Sequence, residues 1–159
     1  MQDLSIASAA PADVPTIVQL IHELADYEKL LHEVVATEAR VAEALFGPRP
    51  EAECVVARLG GRTVGFALFF HSFSTFLARP GLYLEDLFVR PEARGQGVGE
   101  ALLRHLARLA VERKCGRLEW SVLNWNKRAI EFYERMGARG IKEWTTYRVD
   151  GAALSRLGS

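Results

Sequence analysis

Residues 94–99 read Arg-Gly-Gln-Gly-Val-Gly, between the apolar stretch YLEDLFV at 83–89 and the amphipathic stretch EALLRHLARLA at 100–110. Three alternating glycines between a strand and a helix constrain this chain more than any other feature. The first amides of a helix have no partner within it, so a strand, glycine loop and helix in succession gather free donors where an anion is stabilised. Without a Cβ, an oxygen can pack directly on the backbone. The pattern is not the dinucleotide fingerprint, because position 100 is Glu where Gly or Ala belongs. It is not a P-loop, because no Lys-Ser/Thr pair follows the glycines. A tight turn without any ligand stands as the alternative reading.

The remaining patterning predicts a mixed α/β chain in the order βααβββαβαβ. LSIASA at 4–9 reads as a strand. Val14, Ile17, Val18, Ile21, Leu24 and Ala25 recur at helical spacing through PADVPTIVQLIHELADYEK, with the prolines confined to the first turn. A second helix is expected over Thr37–Phe46 with Thr37 as its cap. ECVVARL and RTVGFALFFHSFST flank Gly60-Gly61, a hairpin signal. GLYLEDLFV is a further strand. The next helix, Gly97 to Lys114, carries an apolar stripe of Val98, Leu102, Leu103, Leu106 and Leu109. RLEWSVL is expected as a strand, NKRAIEFYERMG as a helix closed by Gly137, and TTYRV as a last strand.

Charge sums to zero over 159 residues, which gives no global argument for nucleic acid or an anionic membrane. Its distribution is uneven. From Asp13 to Glu43 there are seven acids and two bases; from Arg90 to Arg117, seven bases and three acids. Two solvated helix faces explain this, and so does a cleft with one acidic and one cationic wall. No apolar run approaches membrane-spanning length, and the N-terminus lacks the basic and apolar regions of a signal peptide. Cys54 and Cys115 lie in apolar segments, which suits reduced core thiols of a cytoplasmic protein. The four histidines lack metal-ligand spacing, so no metal is expected. Trp120, Trp125 and Trp144 read as core.

The glycine loop does fit Arg/Gln-x-x-Gly-x-Gly/Ala, here Arg94-x-x-Gly97-x-Gly99. One helix later comes Asn-x-x-Ala-x-x-Phe-Tyr-x-x-x-Gly-Ala, from Asn126 to Ala138. Together with ELADYEK at 23–29 and YLEDLFV at 83–89, these motifs resemble the GNAT N-acetyltransferases over nearly the whole chain. Within that family they are similar to the diamine and thialysine branch, relatives of spermidine/spermine N1-acetyltransferase.

The resemblance implies a single domain over 1–159 with the GNAT fold: α/β, a mixed and mostly antiparallel central sheet flanked by helices. It implies direct acetyl transfer from acetyl-CoA to a primary amine of a small diamine, polyamine or lysine-like molecule, by a homodimer. Leu87, Phe88 and Val89 would present backbone groups to the pantetheine arm and acetyl carbonyl. Arg94, Gly95, Gln96, Gly97, Val98, Gly99 and Glu100 would wrap the pyrophosphate. Asn126, Lys127 and Arg128 would contact the pantetheine and phosphate end, and Tyr133 would lie beside the sulfur as proton donor. Tyr27, Glu28 and Glu85 would hold the amine, with Glu85 taking its proton directly or through water. On a regular pleat Asp86 would face away from Glu85. Arg139 and Lys142 disfavour a long polycation as acceptor. Two alternatives share the motifs: acetylation of a protein or antibiotic amine, and an acyl-CoA-binding module without turnover.

Overall fold

The computed structural model describes residues 3–159. Ten elements follow one another: β1 (Leu4–Ser8), α1 (Val14–Tyr27), α2 (Glu38–Phe46), β2 (Glu53–Leu59), β3 (Arg62–Ser74), β4 (Arg79–Val89), α3 (Val98–Glu112), β5 (Leu118–Glu119), α4 (Lys127–Arg135) and α5 (Gly151–Leu157). The chain divides into two compact units, one ending at Leu123 and one running Asn124–Ser159.

The first unit is a five-stranded sheet in the order β1-β2-β3-β4-β5. Its first three pairings are antiparallel and the last, β4 with β5, is parallel. Local chemistry sets several of these elements. Gly60 and Gly61 take φ of 56° and 81° to turn β2 into β3, values that glycine adopts without a Cβ penalty. Thr37 accepts a hydrogen bond from the Arg40 amide at 3.2 Å and so starts α2.

One face of the sheet is closed by α1 and α2. Val14, Ile17, Leu20 and Leu24 of α1 and Val41 and Leu45 of α2 pack on Cys54, Val56, Phe66 and Phe88. Burying each such side chain favours folding by about 1.5–3 kcal/mol. The Cys54 thiol, buried in this layer, is pushed up to about 12 by its burial and secondarily by Asp13 and Asp86. The strand residues of opposite parity, among them Val55, Ala67, Phe69 and Leu84, are buried as well. They face the apolar stripe of α3, where Val98, Leu102, Leu103 and Leu106 are buried.

Three expectations are corrected. Only Leu118 and Glu119 of RLEWSVL pair in the sheet. In the second unit TTYRV is irregular rather than a strand, and Tyr147 is 92% exposed, so alternation alone gave it no ladder. Trp125 and Trp144 are exposed, not core. The short α5 lies where no helix was expected.

Candidate active site

β4 pairs with β5 only at Leu82 and Tyr83, while its pairing with β3 continues to Val89. Beyond Tyr83 the β5-facing edge of β4 therefore carries backbone donors and acceptors without a ladder. The same stretch holds a β-bulge. Leu84 pairs with Phe69 and Asp86 with Leu68, so Glu85 is the extra residue. The bulge reverses the alternation. Leu82 and Leu84 face α3, whereas Phe88 joins the α1–α2 layer, as does Leu68, the partner of Asp86.

This geometry corrects the expectation that Glu85 and Asp86 are kept apart by the pleat. Asp86 lies on the α1 side and feels both Glu85 and Glu28. Burial foremost, then Glu85 and Glu28, raise its carboxyl from 3.8 to about 6. Burial likewise raises Glu28, which follows the last residue of α1. Asp86 thus feels the negative charge of two other carboxylates, a field that an ammonium group would relieve. Sequence reasoning named Glu28 and Glu85 but missed Asp86. The sequence carries no signal for it: Leu82, Leu84 and Phe88 share one parity, and only the bulge puts Phe88 and Asp86 on the other face.

After β4, the turn Pro91–Ala93 leads into the glycine loop. Gly95 and Gly97 take φ of 77° and 79°, and a Cβ built on either would meet no heavy atom within 4 Å. The conformation requires glycine at both positions, and the space above them is open. Gly97 begins α3 without any side-chain cap, and its carbonyl accepts the first helical bond, from Ala101 at 2.9 Å. The amides of Val98, Gly99 and Glu100 are the first-turn donors that a pyrophosphate needs, so the residues present fit that group. Gly99 lies inside α3, and the Glu100 side chain turns to Arg104 at 2.8 Å. The Gln96 amide reaches the Glu92 carbonyl at 3.5 Å.

Two arginines bind this segment to α1. Arg90 makes a forked contact with Glu23, at 3.0–3.3 Å, and donates to the Thr63 carbonyl at 3.1 Å. The Arg94 guanidinium carbon lies 5.0 Å from the Tyr27 ring centroid and 5.8 Å from that of Phe88, and its Nε donates to the Val89 carbonyl at 3.1 Å. Tyr27, expected as an aromatic face for the amine, already stacks on a cation of its own chain. Of the seven bases of the cationic wall four are paired: Arg90 with Glu23 and Arg113 with Glu53 across elements, Arg104 with Glu100 within α3, and Arg117 with Glu119 at 3.8 Å.

The second unit holds the remaining candidates. Asn126 is buried, and its Oδ1 accepts from the Ala129 amide at 3.3 Å, which starts α4 at Lys127 and Arg128. At the other end Gly137, with φ 96°, donates to the Glu134 carbonyl while Ala138 donates to that of Tyr133. This closure fixes the last turn, on which Tyr133 sits with its ring 5.4 Å from Phe132. Among the described residues, no group of three or more His, Cys, Asp or Glu side chains gathers as a metal site.

The acetyltransferase (GNAT) family model matches residues 19–138. Thialysine N-epsilon-acetyltransferase of Bos taurus is 37% identical over 168 aligned residues, which take in 99% of this chain and 98% of that protein. L-ornithine N5-acetyltransferase of Arabidopsis thaliana is 36% identical, over 96% of this chain and 86% of the relative. An integron cassette protein from V. cholerae superposes with a TM-score of 0.82 at 30% identity, covering 98% of this chain and 97% of that one.

Proposed function

The chain belongs to the acetyltransferase (GNAT) family and is an N-acetyltransferase; from that premise we propose that it moves the acetyl group of acetyl-CoA to a primary amine of a small diamine, polyamine or lysine-like acceptor. One observation carries the acceptor class: Asp86, beside a bulge on the strand that leads into the glycine loop, is buried there and feels the charge of both Glu85 and, from the end of α1, Glu28. Relatives named for thialysine and L-ornithine, both amines of this kind, support it.

In this reading the backbone from Arg94 to Glu100 wraps the pyrophosphate, and Leu87, Phe88 and Val89 offer the β4 edge to the pantetheine and acetyl carbonyl. Asn126, Lys127 and Arg128 complete the cofactor contacts. Glu28 holds the distal ammonium, and Tyr27 shapes that end of the site. Glu85 accepts the proton of the attacking nitrogen, since an alkylammonium is overwhelmingly charged at neutral pH. The neutral nitrogen forms a bond to the thioester carbon, and backbone amides stabilise the developing oxyanion. The C–S bond then breaks, Tyr133 protonates the departing thiolate, and the second proton of the nitrogen passes to solvent, from which Tyr133 is reprotonated. No covalent enzyme intermediate is required.

The whole chain acts as one catalytic domain, in a cytoplasmic homodimer that engages neither nucleic acid nor membrane. No helix among the described residues is long and apolar enough to cross a membrane. Sedimentation at micromolar concentration tests the assembly: a species near 17.7 kDa alone refutes the dimer. The activity is tested by thiol release from acetyl-CoA over a panel of diamines, polyamines, lysine and thialysine, with the acetylated product identified by mass. Cofactor binding without thiol release for any amine overturns the reading and leaves a binding module.

A further inference from the structure

The α1 helix and the glycine-loop segment meet through two rungs of equal spacing. Glu23 and Tyr27 are four residues apart on α1, and Arg90 and Arg94 are four apart across the end of β4. Glu23 grips Arg90, and Tyr27 covers Arg94. The first rung is an ion pair of forked geometry, with Arg90 itself only 11% exposed at its side chain. The second is a guanidinium layered on Tyr27 and Phe88 and pinned by its Nε to the Val89 carbonyl.

Arg94 heads the loop motif, and a cation there suggests a phosphate ligand. Its guanidinium instead lies over the Tyr27 ring and near that of Phe88, with Nε on the Val89 carbonyl, contacts made to α1 and to the end of β4. We propose that the Arg94 side chain is a positioning residue for the amine acceptor, acting through Tyr27, and that it does not bind the phosphates of acetyl-CoA. The inference rests on the acceptor end of α1 being Tyr27 and Glu28, as proposed above.

The physical basis is a second tie, at the end of α1, between two segments that the Arg90–Glu23 pair joins one turn earlier. Tyr27 ends α1 and Glu28 follows it outside the helix, at a turn where Lys29 takes φ of 62°. The turn is closed by its own backbone, with the Glu28, Lys29 and Leu30 amides donating to the Leu24, Asp26 and Ala25 carbonyls at 2.9, 3.0 and 2.8 Å. Arg94 holds it to β4, one residue from the strand end at Val89 that the Nε contact also secures. A cation over an aromatic face contributes about 0.5–2 kcal/mol, according to how dry the contact is. Losing it leaves the turn closed but lets the Tyr27 ring shift from the end of β4, which weakens what Tyr27 and Glu28 grip while the backbone donors of the loop remain.

Arg94→Gln, Arg94→Lys and Tyr27→Leu separate the two roles. The expected result is an amine KM raised about tenfold in Arg94→Gln and in Tyr27→Leu, and less in Arg94→Lys, which keeps a cation above the ring. The double variant Arg94→Gln/Tyr27→Leu should be no worse than Tyr27→Leu alone, because Arg94 acts through that ring. The acetyl-CoA Kd, measured by calorimetry without amine, should stay within about threefold of the unaltered protein in all of them. Two results overturn the proposal. One is an acetyl-CoA Kd raised tenfold or more in Arg94→Gln and restored in Arg94→Lys, the signature of a phosphate ligand. The other is an amine KM that multiplies in the double variant. A generally loosened fold would move both constants and kcat together. If the unaltered protein acetylates no amine in the panel, the proposed acceptor class fails instead, and the calorimetric comparison still decides whether Arg94 binds phosphate.

Discussion

Replacing Asp86 with Asn removes a charge while keeping the size and shape of the side chain, and its effect on stability should depend on pH in a defined direction. The folded protein raises the Asp86 carboxyl from 3.8 to about 6, chiefly through burial and then through Glu85 and Glu28. A carboxyl whose affinity for its proton rises on folding stabilises the fold while protonated. That contribution is complete below about pH 4 and disappears as pH climbs through about 6. At about 1.4 kcal/mol per pH unit, the displacement makes ionised Asp86 a burden of up to about 3 kcal/mol at pH 7.5. Local relaxation and entry of water reduce this, so Asp86→Asn should gain about 1–3 kcal/mol there. For a chain of this length each kcal/mol moves Tm by about 2–4 °C, which gives a rise of roughly 2–12 °C. The assay is thermal unfolding of both proteins from pH 4 to 8.5, without ligands. The difference in Tm should shrink toward zero near pH 4 and level off above about pH 7. A difference that stays constant across the series, or a variant less stable at pH 7.5, refutes the reading that the buried, ionised Asp86 strains the fold.

Further tests address the donor and acceptor ends separately. Gly97→Val should cost on the order of 1–2 kcal/mol or more from its left-handed φ of 79°, since a Cβ there meets nothing, and should weaken acetyl-CoA binding in calorimetry. Tyr133→Phe should lower kcat by about 10²–10⁴-fold with little change in the acetyl-CoA KM, measured under conditions where chemistry limits the rate. Glu28→Gln should chiefly raise the amine KM. Glu85→Gln should depress kcat/KM at neutral pH and recover at higher pH, where more amine is already neutral; a pH series with saturating acetyl-CoA distinguishes them.

What could be read from the amino acids alone depended on the range of the forces involved. Thr37 at the start of α2, Gly60-Gly61 between β2 and β3 and Gly137 after α4 are settled within a few residues by capping and by positive φ, and each appears where local chemistry puts it. The stripes on α1 and α3 were likewise legible, because helical periodicity selects the buried face. The bulge at Glu85 was not, since the extra residue exists only relative to Leu68 and Phe69 on the neighbouring strand. The alternation rule then assigned Asp86 to the wrong side. Arg94 was read as the head of a loop motif, but its side chain is placed by Tyr27, 67 residues earlier, and sequence spacing carries no trace of that contact. TTYRV and most of RLEWSVL have strand composition without a paired neighbour, and strand composition alone supplies no hydrogen-bond partners.

The burial of Cys54 beneath α1 and α2 gives the chain an internal clock for its own opening. A disulfide reagent reacts with thiolate, and a thiol pushed up to about 12 is ionised to about one part in ten thousand at pH 8. Cys115 is only partly covered. Labelling of the native protein should therefore proceed in two phases, a first equivalent at Cys115 and a second that waits for the α1–α2 layer to lift from the sheet. Where closing outpaces the reagent, the second rate reports the free energy of that opening. Its slowing by acetyl-CoA or by an amine would report ligand binding through residues that touch neither ligand.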